Sequence, residues 1–137
     1  MHVLVTGHRG YIGTVLVPRL RAAGHAVTGL DCDLYRGCDF AGATGPADQP
    51  EALPPLRHLS CDLRDLTPAD LEGIDAVIHL AGLSNDPLGD LDPALTHRIN
   101  TLATLRLGRL ARAAGVARFL FSSSCSNYGA AASDTWL

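Results

Sequence analysis

Gly7, Gly10 and Gly13 stand at the spacing Gly-x-x-Gly-x-x-Gly, directly after the short β-branched run of residues 3–6. Three different needs put glycine there. One position turns the chain sharply, one lets the backbone approach a pyrophosphate, and one lets a helix pack closely on a strand. The main-chain N–H groups at the start of the following helix then face the phosphates, and the helix dipole adds roughly 0.3–2 kcal/mol. Asp31 lies 24 residues after Gly7, at the end of a second apolar run. A carboxylate there can accept hydrogen bonds from a ribose diol and would repel a 2′-phosphate, so the pattern predicts NAD rather than NADP.

The residue types that are missing narrow the chemistry further. All 11 basic residues are arginines, so no mechanism that needs an amine side chain can run on this chain alone. Against them stand 14 acids, and the formal charge of −3 gives no electrostatic footprint for nucleic acid or an anionic membrane. Cys32, Cys38, Cys61 and Cys125 form no Cys-x-x-Cys pair, and His2, His8, His25, His58, His79 and His97 are scattered, so no metal site is expected. The first residues lack the basic region of a signal peptide, and no apolar run approaches the ~18 residues of a membrane span. Free thiols in a reducing, cytoplasmic compartment are the expectation.

With 137 residues the chain has room for one domain. Its hydrophobic pattern alternates short apolar runs with helical stretches. Residues 3–6 and 26–31 read as strands, 58–61 as a third and shorter one, 75–80 as a strand buried on both faces, and 117–121 as the fifth. Between the first two, residues 11–23 repeat apolar side chains at Ile12, Val15, Leu16 and Leu20, with a kink expected at Pro18. Residues 32–55 read as a long loop, and Thr67 with Pro68 opens a brief helix. The longest helical pattern spans 93–114, with Leu95, Ile99, Leu102, Leu105, Leu110 and Ala113 on one broad side. Five strands separated mostly by helices imply βαβ crossovers and a doubly wound parallel α/β sheet of order 3-2-1-4-5, the Rossmann fold.

The run Val5-Thr6-Gly7-His8-Arg9-Gly10-Tyr11-Ile12-Gly13 resembles the signature of the extended short-chain dehydrogenase/reductase family, the NAD-dependent nucleotide-sugar epimerases and dehydratases. Four more stretches resemble that family in order: Cys61-Asp62-Leu63, His79-Leu80-Ala81-Gly82, Asn100 within Arg98-Ile99-Asn100-Thr101, and the segment from Phe121 through Ser122, Ser123, Ser124 and Cys125 to Tyr128-Gly129. The resemblance implies cofactor contacts from Gly7, Gly10, Tyr11, Ile12, Gly13 and Asp31. It adds Asp62 and Leu63 at the adenine, Leu80, Ala81 and Gly82 along the cofactor, Asn100 near the nicotinamide half, and Ser122 in support of it. Ser124 falls at the family's catalytic Ser/Thr, where its hydroxyl would orient the sugar hydroxyl being oxidised. Ser84 and Asn85 would line the sugar pocket. In an intact enzyme the resemblance implies a nucleotide-sugar substrate, hydride transfer at a sugar carbon such as C4, and a homodimer.

Two departures qualify the resemblance. Cys125 and Ser126 stand where the 4,6-dehydratase branch carries Asp-Glu, which argues against dehydration. The family's Tyr-x-x-x-Lys base is absent too: four residues after Tyr11, Tyr35 and Tyr128 come Val15, Asp39 and Ala132. The expectation is therefore an incomplete NAD-binding domain, residues 1–137, that lacks turnover by itself. A non-catalytic NAD-binding module and a reductase or oxidase of the same family are the alternatives. A fifth strand left as an open edge would favour self-association, which light scattering would detect.

Overall fold

A computed structural model describes residues 1–34, 54–84 and 86–124. The strands are β1 (His2–Thr6), β2 (Ala26–Asp31), β3 (Leu56–Ser60), β4 (Ala76–His79) and β5 (Arg118–Phe121). All neighbours pair in parallel, in the order β3-β2-β1-β4-β5. The order read from the βαβ pattern is thus the one observed. The expected loop of residues 32–55 and the tail from Cys125 onward lie almost wholly outside the described residues, as does Asn85.

Alternation along the strands feeds two cores. Val3 and Val5 of β1 point to one face, where they pack with Val17, Val27 and Ala76. Leu4 points to the other, joining Leu30, Leu63, Leu66, Leu71, Val77 and Leu107. Because both faces are covered, β1 and β4 read as continuous apolar runs in the sequence.

Helix α1 (Tyr11–Ala22) covers the first face and continues through Pro18. Its buried residues are Gly13 and Val17, with Leu20 packed beside them. The expected Ile12 and Val15 are instead about half exposed, at 55% and 54%. Close contact at Gly13 sets which side of the helix faces the sheet, and positions i+4 and i+7 from Gly13 follow it inward.

The second face is covered by a helix that changes pitch. After α2 (Asp86–Leu91), which the sequence pattern does not suggest, α3 (Pro93–His97) runs into a π-helical segment (Arg98–Ala103) and then α4 (Thr104–Ala113). Ala103, Leu107 and Ala111 are buried, whereas Leu102 and Leu105 are half exposed. A π segment holds an extra residue in the turn and so rotates all later side chains relative to a steady 3.6-residue repeat. That phase shift is why the expected face, which included Leu102 and Leu105, is not the one that packs.

Two 3₁₀ turns, Leu63–Asp65 and Pro68–Leu71, carry the chain from β3 to β4. The second is held at its start by Asp70, whose Oδ2 accepts from the Thr67 N–H at 2.8 Å and from its hydroxyl at 2.7 Å. No helix among the described residues is long and apolar enough to cross a membrane.

Candidate functional site

In a parallel sheet every strand delivers its following loop to the same edge. Here that edge gathers the turn after β1, the end of β2, the turn after β3, and the loops after β4 and β5. The strand order reverses between β1 and β4, which leaves a crevice between their loops, the usual ligand position in such sheets.

The turn after β1 is built from backbone. Gly7 adopts φ +72°, and its N–H donates to the Leu30 carbonyl at 2.8 Å. The Gly10 N–H donates to the Gly7 carbonyl at 3.0 Å, and Gly10 then caps α1 with no side-chain acceptor of its own. A Cβ at Gly7 would sit 2.9 Å from the Ala81 nitrogen, so the β1 and β4 loops abut. A Cβ at Gly13 would land on the carbonyl groups of Gly7 and His8. The turn and the helix can approach this closely only without side chains.

Asp31 ends β2 beside this turn. Its Oδ2 accepts from the Arg9 N–H at 3.0 Å and its Oδ1 from the Asp33 N–H at 3.0 Å. Each oxygen therefore keeps acceptor capacity for a further donor such as a hydroxyl. A bare glycine turn beside an anchored, half-buried carboxylate fits the pyrophosphate and ribose of a dinucleotide.

A second polar cluster lies next to Asp31, and the sequence pattern does not disclose it. Asp33 pairs with the Arg9 guanidinium at 3.0 Å and with His58 Nε2 at 3.4 Å, and accepts from the Ser60 hydroxyl at 3.3 Å. Burial works to raise the Asp33 pKa, but Arg9, His58 and Ser60 outweigh it and hold the carboxyl below its usual range. His58 Nδ1 lies 3.0 Å from His8 Nε2. The His8 ring is buried over Gly29, where any side chain would collide with it. Burial lowers the His8 pKa, with His58 adding to the effect while the Leu30 carbonyl opposes it. Gly29 is the available signal, since a glycine inside a strand often marks a close approach.

The turn after β3 places Asp62 and Leu63. Asp62 accepts from the Arg64 N–H at 2.8 Å and from its guanidinium at 2.9 and 2.7 Å, which holds the carboxyl below its usual range. Leu63 is buried, and its side chain belongs to the core beneath the site.

Buried side chains brace the loop after β4. Thr6 Oγ1 and His79 Nδ1 are 2.6 Å apart, and His79 Nε2 lies 2.8 Å from Thr104 Oγ1. The Ala81 N–H donates to Thr6 Oγ1 at 3.2 Å. A single neutral tautomer satisfies the whole chain: the Thr6 hydroxyl donates to Nδ1 and Nε2–H donates to Thr104. Full burial pushes the His79 pKa down to about 4. Leu80 and Ala81 are half-buried and Gly82 is exposed.

Asn100, in the π segment, clasps the next residue of this loop. Its Oδ1 accepts from the Leu83 N–H and its Nδ2 donates to the Leu83 carbonyl, both at 2.8 Å. In this structure it shapes the loop that carries Gly82 and Ser84. Tyr11 and Ile12, the first two residues of α1, are exposed. Ser122 continues the β5 ladder, its N–H donating to the His79 carbonyl at 3.1 Å, and Ser124 is exposed two residues on. Among the described residues no group of three or more His, Cys, Asp or Glu side chains is placed to hold a metal.

A parallel sheet of this order, with a glycine turn after β1 and an acid at the end of β2, defines the Rossmann class. The sequence model of the NAD dependent epimerase/dehydratase family matches residues 3–135, and the chain belongs to that family. It is 34% identical over 130 residues to a UDP-glucose 4-epimerase from Mycolicibacterium smegmatis, covering 90% of this chain and 39% of that protein. A UDP-glucose 4-epimerase from Klebsiella pneumoniae is 33% identical over 143 residues, with 94% of this chain and 93% of that one covered. Among solved structures, MoeE5 in complex with UDP-glucose and NAD superposes with a TM-score of 0.78 at 34% identity, covering 96% of this chain and 39% of that one. DesIV, a dTDP-glucose 4,6-dehydratase from Streptomyces venezuelae with NAD and TYD bound, gives 0.82 at 31% identity, with 99% and 43% covered.

Proposed function

We propose that the chain binds NAD across the crevice between the β1 and β4 loops, as the cofactor-holding part of a nucleotide-sugar epimerase-type enzyme. The observation that carries this reading is the pairing of the side-chain-free turn at Gly7, Gly10 and Gly13 with the anchored carboxylate of Asp31. Main-chain N–H groups at the start of α1 hold the pyrophosphate, and Asp31 accepts from the adenosine ribose diol. Asp62 and the main chain of Leu63 border the adenine, while Leu80, Ala81 and Gly82 run along the cofactor. Asn100 fixes their loop, and Ser122 supports the nicotinamide end. Tyr11 and Ile12 flank the entrance.

NAD⁺, when bound, supplies a hydride acceptor for a sugar carbon, C4 in this reading. Ser124 orients the hydroxyl at that carbon, and Ser84 and Asn85 line the sugar pocket. The chain has no lysine to lower a tyrosine pKa in a Tyr-x-x-x-Lys pair, so by itself it holds the cofactor without turnover.

Calorimetric titration with NAD⁺ tests the binding half of this proposal. The chain should bind, and Asp31→Ala should weaken binding by about tenfold or more, the loss of hydrogen bonds to a charged acceptor. Equal NAD⁺ affinity in the variant would remove Asp31 from the site.

A further inference from the structure

We infer that Asp33 adds to the preference for NAD over NADP that Asp31 sets, by pairing with the Arg9 guanidinium that would otherwise be available to a 2′-phosphate. The inference rests on the dinucleotide reading above and concerns a residue which that reading leaves unused. Arg9 is well placed for the opposite preference. Its main-chain N–H is on the Asp31 carboxylate at 3.0 Å, so its side chain starts beside the ribose position. An arginine there is the residue that usually accommodates a 2′-phosphate, through a planar fork of donors matched to phosphate oxygens.

Asp33 Oδ1 forms an ion pair with Nη1 of that arginine at 3.0 Å. The carboxylate is largely buried, with 14% of its side chain exposed against 39% for Arg9, and His58 and Ser60 hold its other oxygen. Its backbone is committed to this placement as well. Asp33 has φ +57°, the one non-glycine residue with positive φ among those described, and its N–H is tied to Asp31 Oδ1. Asp31, Asp33 and Arg9 together carry one net negative charge, which opposes a phosphate dianion. Without Asp33 that sum is zero and the guanidinium is free to turn to the ribose.

The test is titration of the chain and its variants with NAD⁺ and NADP⁺. Asp33→Asn keeps the size of the side chain and tolerates the positive φ. It should raise NADP⁺ affinity relative to NAD⁺ by about tenfold, the effect of releasing one nearby charge. Asp33→Gly, which suits the same backbone, should act in the same direction. Adding Arg9→Ala to either variant should return the ratio to its original value. An unchanged ratio in both Asp33 variants, or a gain that survives the loss of Arg9, would overturn the inference while leaving NAD⁺ binding intact. Failure of the unaltered chain to bind either dinucleotide would instead overturn the reading beneath it, and this inference with it.

Discussion

Gly13→Ala is expected to cost about 3 kcal/mol of stability and to remove measurable dinucleotide binding. The added Cβ would meet main-chain carbonyl groups of Gly7 and His8, not the movable end of a side chain. Relief requires α1 to shift away from the β1 turn. That shift would pull Val17 and Leu20 from the core they share with Val3, Val5 and Val27. It would also turn the first N–H groups of α1 away from the crevice. Urea unfolding followed by circular dichroism reads the first effect, and calorimetry with NAD⁺ the second. Gly24→Ala should show no comparable steric loss, because nothing lies within 4 Å of its added methyl group, although the φ of +83° carries its own strain.

The second large effect is on pH dependence. The buried His79 has a pKa of about 4 in the folded chain against an ordinary 6.5. Below pH 6.5 the unfolded chain takes up a proton that folded His79 refuses, so stability falls as pH falls. The fall continues until about pH 4, where the folded form also protonates. Over that window the loss attributable to His79 should be about 3 kcal/mol. His8, with a lowered pKa of its own, acts in the same direction, so the informative quantity is a difference. In His79→Gln the slope between pH 6.5 and 4 should flatten relative to the unaltered chain. The lowered carboxyl groups of Asp33, Asp62 and Asp70 act at lower pH, because their ordinary value is 3.8. Equal slopes in the two proteins would show that the link from Thr6 through His79 to Thr104 does not exclude the proton.

The features legible in the sequence are those set by local chemistry. The glycine turn, the acid at the end of β2 and the strand order follow from backbone sterics and from the handedness of parallel crossovers. Helix faces are harder to read. In α1 the face is set by the contact at Gly13, and along 93–113 by a π turn that shifts the phase midway. β3 runs over Leu56–Ser60 rather than the expected 58–61, since at the sheet edge all of it but Leu59 is exposed and the apolar pattern is faint. The cluster of His8, Arg9, Asp33 and His58 draws on three segments that meet only through the register of β2 with β3, where Gly29 stands opposite His58. No local spacing encodes such a meeting. The sequence places His8 and His79 within family-like stretches but does not disclose their roles: His79 is a buried brace and His8 a ring packed on a glycine.

A crystal of the chain grown with NAD⁺ decides whether the β1 turn is a diphosphate grip. The expected result places pyrophosphate oxygens about 3 Å from main-chain N–H groups at the start of α1, with ribose hydroxyls at a similar distance from the Asp31 carboxylate. A dinucleotide bound elsewhere, or a crevice closed by the side chains of Tyr11 and Ile12, would contradict it.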